Sequence, residues 1–147
     1  MSDIEFPGAD EPETVSPEPA RPAGAGRIAA RLILAVALGG TIAALGTATH
    51  RTLWHGLPIG LVLALALTAS SGVLARAWAG LATLAGAAVG WLVVAQVLAL
   101  PGQGGDVLVT NPNAALPVAW AGIAWTYGGV VALGVVAFLP RRWFARR

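Results

Sequence analysis

The chain has 147 residues, of which 56% are hydrophobic and 11% charged, and it contains no Cys. A soluble domain carries about 25% charged residues, so these values exclude an ordinary water-facing surface. They also exclude disulfides, thiolate metal sites and Cys nucleophiles. The formal charge of +2 conceals a strong asymmetry. Six of the seven acids (Asp3, Glu5, Asp10, Glu11, Glu13, Glu18) lie near the start, and Asp106 is the one acid beyond them. All nine basic residues are Arg, eight of them from Arg27 onward.

Residues 1–26 hold five of the ten prolines and a net charge of −5. Such a segment buries too little apolar surface to offset the entropy of ordering, so a disordered acidic tail is predicted. It lacks the basic start and early apolar run of a signal peptide.

Four uncharged apolar stretches then follow, at about 32–49, 57–75, 77–100 and 117–139, the last starting at Pro117. About 20 apolar residues cross a hydrocarbon core of roughly 30 Å, so each stretch is long enough to span it. The fold class expected is all-α: an integral membrane bundle of four transmembrane helices over 27–140, in up-down order. A basic tail, 141–147, closes the chain. Arg76 separates the second and third spans, which reads as a hairpin tip with its guanidinium reaching for headgroups. Loop 50–56 is short. Loop 101–113 is turn-rich, with an extended segment from Val107 to Thr110 and Asp106 capping a local turn.

Four spans place both termini on one side. That side carries Arg21, Arg27, Arg31 and Arg76 and the four Arg of the C-terminal tail, against Arg51 on the other. The bias predicts cytoplasmic termini. Trp54 and Trp120 fall at one interface, and Trp78, Trp143 and Phe144 at the other.

No Asp, Glu, Arg or His falls inside the predicted spans, which removes the usual proton relay or ion site of a coupled transporter. The uncharged polar groups there point to a packing cluster or pocket formed by Trp91, Gln96, Trp125 and Tyr127. Gly86 and Gly90 form a GxxxG pattern which, with Gly128 and Gly129, suits helix packing either within the chain or between two copies. His50 and His55 are five residues apart and read as exposed loop residues. No metal-ligand set, catalytic constellation or cofactor motif is readable. Arg141, Arg142, Arg146 and Arg147 beside Trp143 and Phe144 suit anionic lipid headgroups rather than nucleic acid, because they follow a span directly.

Gly90-Trp91, the run from Gly105 to Val109, and Tyr127 to Gly129 carry a resemblance. Through them the chain resembles a family of small four-span membrane proteins of high-GC actinobacteria, classed as a domain of unknown function. The match covers 27–139 and implies a bacterial cell membrane, with no activity attached. The glycines from Gly39 to Gly46, followed by His50 and Arg51, are also similar to the first-helix pattern of four-span fluoride channels. The expected polar Asn of span two and Phe of span three are absent, however. The function expected is a non-enzymatic accessory or scaffold subunit that packs against itself or another membrane protein. The alternative is a small homo-oligomeric channel or permease for a neutral or hydrophobic solute.

Overall fold

The computed structural model describes residues 24–100 and 119–144. The tail expected to be disordered, the turn-rich loop with Asp106, the start of the fourth span at Pro117, and Arg146 and Arg147 lie outside the described residues.

Four helices account for most of the described chain: α1 Ala25–Thr49, α2 Ile59–Ala79, α3 Leu81–Ala99 and α4 Trp120–Phe138. A single 3-10 turn, Arg141–Trp143, follows them. The described residues contain no strand, apart from an isolated bridge between Trp54 and Leu57. All four helices are long and apolar enough to cross a membrane, and most of their surface faces outward. That pattern is the inverse of a soluble helix, which buries its apolar stripe.

The boundaries differ from those read off hydropathy, and the differences have physical causes. α1 begins before the apolar run because Arg27 and Arg31 end a hydropathy window without ending a helix. The second hairpin turns at Gly80 rather than at Arg76. Gly80 has φ 81°, a left-handed conformation that glycine adopts without steric cost, and it both ends α2 and starts α3. Arg76 therefore belongs to the last turn of α2. The first hairpin closes through reciprocal backbone hydrogen bonds of 3.0 Å between Trp54 and Leu57. His55 and Gly56 form its tip with φ 50° and 79°, the signs a two-residue primed turn demands.

α1 packs most intimately on α3, and α2 touches the other three helices, whereas α3 and α4 meet sparsely. The α1–α3 seam is a reciprocal backbone contact. A Cβ at Gly39 would lie 1.9 Å from the Ala87 carbonyl oxygen, and one at Gly90 would lie 2.0 Å from that of Val36. Both seats require glycine. In lipid, where water no longer drives helices together, such close approach supplies the dispersion contacts that hold them. Gly86 faces Ala35 across the same seam, so the Gly86/Gly90 pattern serves this interface inside the chain.

Candidate functional site

Most of the interior polar and aromatic groups gather in two layers. The first lies toward the end of the bundle where α1 stops. Trp91 of α3 and Trp125 of α4 are essentially inaccessible, with ring centroids 5.1 Å apart at 57°. Each ring sits on a glycine of another helix. A Cβ at Gly46 of α1 would lie 2.1 Å from the Trp125 ring, and one at Gly129 of α4 would lie 2.1 Å from the Trp91 ring. Trp125 Nε1 donates to Thr47 Oγ1 at 3.2 Å, which ties α4 to α1. Gly128 packs on the Leu65 side chain of α2, so the glycine pair of α4 faces inward on two sides.

The four-residue cluster expected from sequence does not assemble. Trp91 and Trp125 meet in the interior, but Tyr127 is 70% exposed and Gln96 also faces outward. Helical geometry explains the split. Residues two apart point some 200° from one another, so burying Trp125 turns Tyr127 to the outside.

His50 corrects a second expectation. It is fully buried rather than an exposed loop residue, and its ring stacks on Trp125 at 6.1 Å. It follows the last residue of α1, and its Nδ1 lies 2.8 Å from the Thr47 carbonyl and 3.2 Å from that of Gly46. Both partners are acceptors, so Nδ1 carries the hydrogen and Nε2 the lone pair. His50 Nε2 and Trp91 Nε1 are buried without a partner among the described residues. His55, by contrast, is exposed.

Burial holds the His50 imidazole below its ordinary pKa of 6.5; its backbone hydrogen bonds to Thr47 and Gly46 oppose this, and nearby Arg51 adds to it. The unfolded chain therefore takes up a proton on falling through pH 6.5, where the folded chain does not. Stability is complete above that pH and declines below it. A thermal unfolding series in mild detergent from pH 7.5 to 5.5 should show the midpoint falling for the wild type and nearly level for His50→Gln, which retains exposed His55. Parallel curves would mean that His50 is not buried in this way.

The second layer lies at the opposite end and centres on Arg76, which the sequence predicts at a hairpin tip with its guanidinium reaching for headgroups. It is 6% exposed. Its Nη1 donates to the Val136 carbonyl and its Nη2 to that of Leu139 at 2.7 Å. Its guanidinium carbon also stands 4.7 Å from the centroid of the Phe144 ring. The cause is Pro140. A helix continuing past Leu139 would bond Val136 to the N–H of residue 140, which proline lacks, and only a long 3.3 Å bond from the Leu139 N–H stands in its place. Arg76 supplies donors to these last carbonyls, and its positive charge lies at the negative end of the α4 dipole. The signal for this was present in the sequence as Pro140 ending an apolar run with one Arg near its level. Close by, Thr83 Oγ1 donates to the carbonyls of Ala75 at 2.5 Å and Gly80 at 3.0 Å, which fixes the hairpin turn.

Several other Ser and Thr hydroxyls are satisfied locally. Thr41, Thr49, Thr68, Ser70 and Thr126 each donate to a carbonyl four residues back on their own helix. Among the described residues, no three His, Cys, Asp or Glu come together as a metal would require. No family model, curated protein or solved structure matches the chain.

Proposed function

We propose that this protein is a multi-pass component of a bacterial cell membrane with both termini in the cytoplasm. In this reading it is a non-enzymatic accessory or scaffold subunit that packs against itself or against another membrane protein. Arg141, Arg142, Arg146 and Arg147 contact anionic headgroups at the cytoplasmic face.

The observation that carries the reading is Tyr127. It stands within α4, one of the four apolar helices, and is 70% exposed, and no other described residue accepts or donates a hydrogen bond to its hydroxyl. A phenol facing hydrocarbon has no water to bond, so a neighbouring helix is the natural source of its partner. Gln96, outward on α3, presents the same demand. The interior supports the same reading. Trp91 and Trp125 fill the space where a conduit through one chain would run, which leaves the channel alternative to pores between copies.

Purification of the full chain from its own membrane in mild detergent tests this. The expected result is a stable stoichiometric complex that Tyr127→Phe loosens while leaving helix content intact. A homogeneous homo-oligomer that passes a neutral solute in liposomes would overturn the scaffold reading in favour of the channel.

A further inference from the structure

Because α3 and α4 meet sparsely, a groove of about 360 Å³ remains between them. Its walls are apolar throughout, among them Leu81, Leu84, Leu92, Val130, Leu133 and Ala137. Along α3 it runs from Leu81 to Leu92, about 16 Å at 1.5 Å per residue. That is the depth of one leaflet of a hydrocarbon core about 30 Å thick.

A second cleft, of about 330 Å³, lies at the Arg76 end and is lined by Arg76, Gly80, Leu81, Arg141 and Phe144. Leu81 lines both clefts, so they adjoin at that side chain. The second cleft is cationic. Arg141 is exposed, and Arg76 commits two of the five N–H donors of a guanidinium to α4. Gly80 and Leu81 begin α3, whose N-terminus has no side-chain cap, so its first-turn amides and positive dipole end add to the field. The described residues include no Asp or Glu to neutralise these charges. An apolar slot one leaflet deep, ending at two guanidinium groups, complements a molecule with a long hydrocarbon chain and an anionic head.

We propose that these adjoining clefts hold one anionic phospholipid, its phosphate beside Arg141 and Arg76 and an acyl chain in the α3–α4 groove. The site rests on the membrane reading above and deepens it, from general headgroup attraction to a defined position. Arg141 and Arg142 separate the two ideas. Both are exposed and carry the same charge, but Arg141 lines the cleft and Arg142 does not. Gly134 provides an independent handle, because it lines the groove and a Cβ there meets nothing within 4 Å.

The test is native mass spectrometry of the full chain, purified in mild detergent and equilibrated with equal amounts of dioleoyl phosphatidylglycerol and dioleoyl phosphatidylcholine. The wild type is expected to retain one phosphatidylglycerol, preferred by about five- to tenfold. Arg141→Gln should erase most of that preference and Arg142→Gln should keep it. Gly134→Phe should remove the bound lipid with circular dichroism unchanged. Equal retention of the two lipids, or equal effects at Arg141 and Arg142, would overturn the site. So would displacement of the lipid by millimolar glycerol phosphate, because a headgroup alone would then suffice. A chain that stays in solution without detergent overturns the membrane reading as well, and does so before any lipid is added.

Discussion

Gly90→Ala is expected to lower the unfolding free energy of the bundle by about 3 kcal/mol, the upper end for overpacking. The added methyl would lie 2.0 Å from the Val36 carbonyl oxygen, and a backbone atom cannot rotate aside as a side chain can. α1 and α3 must separate along their whole seam, which forfeits contacts far from the substitution. Gly39→Ala, which meets the Ala87 carbonyl at 1.9 Å, should behave alike. Gly134→Ala is the matched control. Its new methyl meets nothing within 4 Å, so stability should stay within about 0.5 kcal/mol. Sodium dodecyl sulfate titration in mixed micelles, followed by far-ultraviolet circular dichroism, reads all three. Equal losses at Gly90 and Gly134 would show that the seam does not run through Gly90.

Trp125→Ala should cost about 3–5 kcal/mol, the usual range for removing a buried Trp. The ring is fully buried and touches Trp91, His50 and the backbone at Gly46, so its loss opens a cavity shared by three helices. Trp125→Phe keeps most of the ring and loses the bond to Thr47, a change of about 1 kcal/mol. The pairing with Gly46 permits a sharper check. Gly46→Val collides with the ring in the wild type but enters vacated space when Trp125 is Ala, so the double variant should be more stable than the sum of the two single effects predicts. Strict additivity would mean that the two positions do not touch.

The sequence revealed much of this architecture and little of its inner arrangement. Spans of about 20 apolar residues announce themselves through length, because the thickness of a bilayer sets that length. The face each helix turns inward is another matter. A helix in lipid is apolar all round, so hydropathy has no period from which to read direction. Trp125 and Tyr127 look equivalent in such a window, yet one is buried and the other 70% exposed. The glycines were legible as packing residues but not as partners of particular carbonyls and rings. Arg76 was misplaced because its role is non-local: the carbonyls it satisfies, Val136 and Leu139, lie far along the chain on another helix. His50 was misplaced for a similar reason, since the ring that covers it comes from α4.

In the membrane reading, the four helices stand in hydrocarbon with their glycines and two Trp rings turned toward one another. Washing isolated membranes with alkaline carbonate decides this, because the wash strips proteins held at the surface and leaves those that span. The full chain is expected to stay with the membrane pellet and to come into solution only with detergent. Release into the wash as a soluble protein would contradict it.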